Sequence, residues 1–377
     1  MLIHLVTDRF SIGGGIEHIF QVVGGLTDFQ FRVFGLPGPA VEKFKNLSNV
    51  EIHDNGYHPS EVAANRPDVI HFHHLKPLVH FFKNHFFFNF HPASRVPVIY
   101  TAHGLHIHKY EFYHALTAKL KYKLRFHLEK RVLSKARRVI AVSEEDRLFL
   151  EKEYGLTQVT YLTNGIDFSK FESVRNTKEE LRAKLGFPSE AFLFVTAARF
   201  NFQKGYDILV KAAASIAEDL EKIKRGVRFV CVGDGEEFDA VKRMSQDLGV
   251  SKYMIFLGTR TGSDVYEIIK ASDVFLLPSR WEGLPFVLME AGMLNVPVLA
   301  SDTYGNREIL KTPDGMNGIL FPNMDTGILG KTILNVLRGE YNLEEYALNL
   351  HREVRTHYNL PRMIGGLREM YTSSTSN

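Results

Sequence analysis

Short runs of Val, Ile, Leu and Phe recur along the chain between longer stretches in which apolar positions are spaced for helices. The runs fall at 2–7, 69–72, 98–102, 139–142, 192–197, 227–232, 255–257, 274–277 and 296–300. Near-continuous apolar strands separated by amphipathic helices are the pattern of a parallel sheet buried on both faces. The series predicts a doubly wound α/β fold used twice. Residues 170–190 are polar and carry no buried-strand run, which sets a linker near 168–186 and two domains, 1–175 and 176–358. From Tyr358 onward the pattern predicts a last helix, about 359–377, that packs back on the first domain.

Composition adds limits. A chain of 377 residues suits two domains, and 45% hydrophobic with 24% charged residues is the balance of a chain that folds. The net charge of +3 gives no reason to expect nucleic acid as a partner. The single cysteine, Cys231, lies in the apolar run Phe229-Val230-Cys231-Val232 and reads as a small buried hydrophobe. The N-terminal apolar run breaks at Asp8-Arg9, too short for a signal peptide, and no stretch reaches the length of a membrane span. A cytoplasmic protein, at most peripheral on the inner face of the cell membrane, is expected.

In an open parallel sheet, ligands bind beyond the C-terminal ends of the strands. Two clusters occupy such ends. After the run ending at Leu277 comes Pro278-Ser279-Arg280-Trp281-Glu282-Gly283-Leu284-Pro285-Phe286, with Pro285 suited to the first position of a helix. The amides of Gly283, Leu284 and Phe286 would then face an anion at the helix N-terminus. Glu282 and Glu290 can accept bonds from vicinal hydroxyls of a sugar or ribose, although Glu290 can equally sit in an ion pair on a solvated helix face. After the run ending at Ala197 comes Ala198-Arg199-Phe200-Asn201-Phe202-Gln203-Lys204-Gly205, where a guanidinium fork and an ammonium together suit a diphosphate.

Other signals are exclusions. Gly13-Gly14-Gly15 with Glu17 permits close backbone approach, but His18 stands where a dinucleotide-binding loop needs glycine. Gly233-Asp234-Gly235 fails likewise at Phe238, which argues against a nicotinamide dehydrogenase. His103 ends a predicted strand and would project into the cleft, or else be structural. His71, His73 and His74 have no accompanying carboxylate or cysteine spacing for zinc, and no Asp-x-Asp pair follows a strand. No metal and no cofactor are expected. Nucleophile-elbow, P-loop and kinase signatures are missing.

Taken in order, these segments resemble glycosyltransferase family 4: Gly13 to Glu17, Thr101-Ala102-His103, Ala141-Val142-Ser143, Asn164-Gly165-Ile166-Asp167, Arg199 to Gly205, Val232 to Gly235, the Glu282 and Glu290 pair, and Asn317 to Phe321. The resemblance implies a retaining enzyme of GT-B architecture, two Rossmann-like domains facing a cleft that takes a nucleotide-sugar donor. It implies that Arg199 and Lys204 bind the diphosphate, Glu290 the ribose, and Glu282 with Gly283, Leu284 and Pro285 the donor sugar. His103 would reach the transferred sugar from the other domain. Gly14 and Gly15 would border the diphosphate and acceptor entrance, and Thr259 and Arg260 the nucleobase. Tyr304, before Gly305, departs from a family pattern that often has glycine there. A front-face route to retention is implied, the departing phosphate oxygen taking the acceptor proton.

The expected acceptor is a glycan or lipid-linked hydroxyl in cell-envelope polysaccharide or glycolipid synthesis. Alternatives are a nucleotide-sugar epimerase of the same architecture and a non-catalytic nucleotide-sugar binding protein. Within 106–138, ten Lys and Arg residues face only Glu111 and Glu129. Leu116, Leu120, Leu124 and Leu128 recur every fourth residue, as on an amphipathic helix, and Phe81, Phe82, Phe86, Phe87, Phe88 and Phe90 lie upstream. Such a surface suits an anionic membrane, or else the lysines face water over a core helix.

Overall fold

The computed structural model describes residues 1–85, 96–105, 107 and 116–375, with side chains left out at 84, 85 and 116–118. Two compact units form: Met1–Gly165 together with the chain from Asn359 onward, and Ile166–Tyr358.

The first unit holds a seven-stranded sheet of β1 (Leu2–Arg9), β2 (Gln30–Leu36), β3 (Val50–His53), β4 (Val69–Phe72), β5 (Val98–Ala102), β6 (Arg138–Ala141) and β7 (Val159–Tyr161), in the order β3-β2-β1-β4-β5-β6-β7. Every pairing is parallel. Because successive side chains alternate sides, the apolar runs feed two separate cores. Ile3, Leu5, Val69, Ile99 and Ile140 enter one, packed by the helices Gly14–Gly25 and Leu360–Thr375. Val6, Ile70, Phe72, Tyr100 and Ala141 enter the other. The C-terminal helix contributes Met363, Leu367, Met370 and Tyr371 to the first core.

The second unit repeats the plan with β8 (Phe192–Ala197), β9 (Val227–Val232), β10 (Met254–Gly258), β11 (Val274–Leu277), β12 (Val298–Ser301) and β15 (Ile319–Phe321), in the order β10-β9-β8-β11-β12-β15. A two-stranded hairpin of β13 (Lys311–Thr312) and β14 (Gly315–Met316) stands apart. Phe192 and Phe194 pack on one face of β8 in a large core cluster, while Leu193 and Val195 are buried outside that cluster. Both sheets reverse winding direction at an interior pair, β1/β4 and β8/β11, and such a switch point is where the connecting loops part and leave a crevice.

The predicted strands all form, with bounds shifted by a residue or two at 2–7, 139–142, 255–257 and 296–300. Strands β2, β3, β7 and β15 were not predicted, nor was the short hairpin β13/β14. Three of them are edge strands of three or four residues, and β2 is broken by Arg32, which pairs with Glu51 of β3 at 2.6 Å. The linker at 168–186 is corrected. It carries the helix Lys178–Leu185, closed by a capping box of Thr177 and Glu180 and ended by Gly186 in the left-handed region. Arg182 fastens that helix to the second unit through Ala271 O (2.9 Å) and Asp273 (2.7 Å). Polarity there marks a solvated helix face, and the division falls earlier, at Gly165, where a Cβ would meet Asn359 O at 2.7 Å.

Leu367 is fully buried between the C-terminal helix and its sheet. Leu367→Ala should destabilise the first unit by about 2–5 kcal/mol, read as a lower denaturant midpoint; an unchanged midpoint would show that the helix adds no packing.

Candidate functional site

The loops at the β8/β11 switch point are locked together. Gly205 adopts φ +67°, and a Cβ there would lie 2.1 Å from Pro278 O, so glycine is required both by conformation and by the approach of the two backbones. Arg280, which sequence reasoning passed over, bridges the loops. Its guanidinium donates to Phe202 O at 2.6 Å, forks onto Asp207 at 3.0 and 2.9 Å, and lies 3.9 Å from the centre of the Phe202 ring. Its backbone amide donates to Gln203 O, and Gln203 Nε2 donates to Trp281 O. Burial pushes the Asp207 carboxyl up, but the bonds and charge of Arg280 and Lys211 outweigh it and hold the group below the usual carboxylate range.

This frame positions the expected site residues. Lys204 ends a short 3₁₀ turn capped by Asn201, and its Nζ donates to Glu282 Oε1 at 2.6 Å. Lys204 keeps 21% of its side-chain surface and Glu282 only 5%. Two residues expected to serve different parts of a donor are therefore partners of each other. Arg199 is 60% exposed and meets Glu236 at 3.4 Å, an ion pair too solvated to fix it. Glu290 lies half-buried on the helix Phe286–Met293. Pro285 is corrected from the first helical residue to the N-cap, with an extended ψ of 120°. Without a capping side chain or a first-turn acid, that N-terminus keeps its positive dipole end for an anion.

Neighbouring glycines explain several motif positions. A Cβ on Gly233 would strike Ala198 O at 2.0 Å, and one on Gly235 would strike Phe200 O at 2.3 Å, so Gly233-Asp234-Gly235 packs against the Arg199 loop. A Cβ on Gly305 would meet Gly283 O at 1.9 Å. Close approach to the Glu282 loop thus rests on Gly305, while Tyr304 is exposed beside Arg307. Thr259 and Arg260 are exposed just beyond edge strand β10, two strands from β8. Cys231 is buried, its thiol pushed up to about 12 by desolvation.

In the first unit, the β1/β4 switch point gathers Gly15, His74 and His103. A Cβ on Gly15 would stand 3.5 Å from His74 and 3.9 Å from His103. Gly14 is exposed at the start of its helix. Beneath them lies a cluster that sequence reasoning missed because its members come from three segments. His73 Nδ1 and His103 Nε2 are 3.0 Å apart, and His18 Nδ1 donates to Asn164 Oδ1 at 3.0 Å. The rings of His18 and His103 lie 4.8 Å apart, edge to face. Desolvation lowers His18 to about 4 and holds His73 well below the usual histidine value, so both are neutral imidazoles at pH 7. His71, on β4, bonds Tyr371 and Thr101, both at 2.7 Å, and belongs to the packing of the C-terminal helix.

His18, His73 and His103 bring one nitrogen each within 4.8 Å of one another, a spacing that bears on the expectation of no metal. Tetrahedral zinc with nitrogens at about 2.0–2.1 Å needs them about 3.4 Å apart. The contact between His73 and His103 makes this a hydrogen-bonded imidazole cluster in the described state.

Comparison with known proteins bears on both units. The family model "Glycosyl transferases group 1" matches residues 177–355, and "Glycosyltransferase Family 4" matches 41–170. An Escherichia coli UDP-Gal:alpha-D-GlcNAc-diphosphoundecaprenol alpha-1,3-galactosyltransferase is 30% identical over 74% of this chain and 70% of its own. The putative glycosyltransferase EpsD of Bacillus subtilis is 30% identical over 63% of this chain and 59% of its own. Among solved structures, Anabaena Alr3699/HepE in complex with UDP and glucose superposes with a TM-score of 0.79 at 22% identity, over 99% of this chain and 100% of that one. WaaG, a glycosyltransferase involved in lipopolysaccharide biosynthesis, gives 0.73 at 18% identity over the whole of both chains.

Arg280→Met should strand the buried Asp207 carboxylate and lower stability by about 3 kcal/mol at pH 7. Because the native carboxyl titrates below its unfolded value of about 4, the gap between wild type and variant should persist above that value. It should close as pH falls through the native one, as pH-resolved denaturant titration will show.

Proposed function

The chain belongs to glycosyltransferase family 4, and on that premise we propose that it moves a sugar, with retention at the anomeric carbon, from a nucleoside-diphosphate donor to a hydroxyl of a glycan or lipid-linked acceptor. The observation that carries the reading is the Lys204–Glu282 pair, held at the β8/β11 switch point beside exposed Arg199 and an uncapped helix N-terminus. An incoming diphosphate competes with Glu282 for Lys204. Once Lys204 and Arg199 turn to the phosphates, the Glu282 carboxylate is released to accept from donor-sugar hydroxyls. One exchange thus serves both ends of the donor.

The diphosphate is the leaving group, so cations and helix amides aimed at it stabilise the charge that grows as the glycosidic bond breaks. Glu290 is assigned to the ribose, Thr259 and Arg260 to the base, with Gly283, Leu284 and Pro285 around the donor sugar. His103, with Gly14 and Gly15, is assigned to the transferred sugar and the acceptor side. The burial that keeps His18 and His73 neutral leaves this region without fixed positive charge from either ring, and His103 acts there as a hydrogen-bonding group. Uridine as the base is supported by the relative named for UDP-Gal and the neighbour solved with UDP, and a lipid-linked glycan acceptor by the diphosphoundecaprenol in that relative's name.

Arg199→Ala should leave the melting temperature unchanged, since the side chain is exposed, and lower kcat/KM by roughly 10²–10³, as for loss of one charge-stabilising donor. Lys204→Met should cost both stability and turnover, because it leaves Glu282 buried and unpaired. The double variant Lys204→Met/Glu282→Gln should recover the melting temperature without the activity. Near-normal turnover in Arg199→Ala and in the double variant would overturn the diphosphate assignment. Product analysis separates transfer from epimerisation, which needs no acceptor.

With cations supplied by side chains, turnover should survive excess EDTA. Strict dependence on added Mg²⁺ or Mn²⁺ would refute that part of the reading.

A further inference from the structure

The helix Leu116–Leu133 presents Leu120, Leu124 and Leu128 outward. Leu120 is 61% exposed, Leu124 63% and Leu128 39%, whereas the side facing the unit is made by Tyr122, Phe126, Glu129, Val132 and Leu133. At about 100° per residue the three leucines span an arc of roughly 80°. Lys119, Lys123 and Lys130 flank that arc on one side and Lys121 on the other, all exposed, with Arg131 among the leucines. The helix holds a single acid, Glu129, and it is buried against Arg125 and the Tyr154 hydroxyl. The outward face is therefore an apolar stripe set in purely positive charge.

We propose that this face docks on an anionic bilayer, with the helix lying in the interface, the leucines entering the acyl boundary and the lysines reaching headgroup phosphates. Isolated exposed leucines are ordinary, but three in register form a patch that marks an interaction surface. The charge selects the occupant. A second copy would set lysine against lysine, whereas an anionic membrane satisfies the stripe and its flanks together, and the long lysine stems let the ammoniums stay at headgroup level while leucines insert. Arg125 takes no part, since its guanidinium is committed to Glu129. Among the described residues no helix is long and apolar enough to cross a membrane, and docking needs none. The proposal does not rest on the transfer reaction.

The test is co-sedimentation of the full chain with phosphatidylcholine vesicles, with and without about one third phosphatidylglycerol. Wild type should bind the anionic vesicles at least about tenfold better than the neutral ones. Leu120→Ser/Leu124→Ser/Leu128→Ser and Lys119→Gln/Lys121→Gln/Lys123→Gln, both exposed and expected to keep wild-type circular dichroism and melting temperature, should each lose most of that binding. Equal binding by the leucine variant, equal affinity for both vesicles, or a dimer that dissociates with the leucine variant in place of vesicle binding would each overturn the proposal.

Discussion

The loops at the β8/β11 switch point depend on one fork, the Arg280 guanidinium held between Asp207, the Phe202 carbonyl and the Phe202 ring. A strand-to-helix loop at a switch point has few partners of its own, because the two loops diverge from neighbouring strands. Arg280 joins them across that divergence, and Gly205 removes the Cβ that would hold them apart. With both loops fixed, Lys204 meets Glu282, whose side chain is nearly buried. A carboxylate at that depth would otherwise be strongly disfavoured.

The first unit uses the opposite physics at its own switch point. There burial strips charge from the side chains. His18 is neutral because desolvation outweighs its bond to Asn164, and His73 because burial and the neighbouring imidazoles both disfavour its charge; Asn164 fixes which nitrogen of His18 carries the proton. Asn164 precedes Gly165, where the chain leaves this unit. The same short motif therefore sets an imidazole tautomer and the crossing point between units, two constraints that keep its residues in place for different reasons.

The sequence made legible what depends on continuous runs. Every strand buried on both faces at the centre of a sheet was visible except β2, where Arg32 interrupts the pattern to reach Glu51 on the edge strand. Edge strands such as β7 and β15 are too short to show a period. Arg199, Lys204, Glu282 and Glu290 were legible as types at strand ends. Their pairing was not, since the 2.6 Å contact joins residues from separate loops and follows from Arg280, whose role no local pattern announces. The histidine cluster was hidden for the same reason: His18, His73 and His103 are brought together by β1, β4 and β5 becoming neighbours.

The Leu116–Leu133 helix teaches a different point about periodicity. Leucines every fourth residue announce an apolar stripe, and the common inference is that the stripe faces the core. Here the core side is supplied by Tyr122, Phe126, Val132 and Leu133, a second apolar arc opposite the first. A helix with two apolar arcs has a weak overall polarity between faces, so its pattern alone cannot say which arc the fold covers. Aromatic bulk decides: Phe126 packs edge-on against Tyr154 at 4.8 Å, and Glu129 reaches the Tyr154 hydroxyl from the same side. A buried acid that needs both Arg125 and Tyr154 can be satisfied only with that face inward, and this orientation turns the leucines out among the lysines.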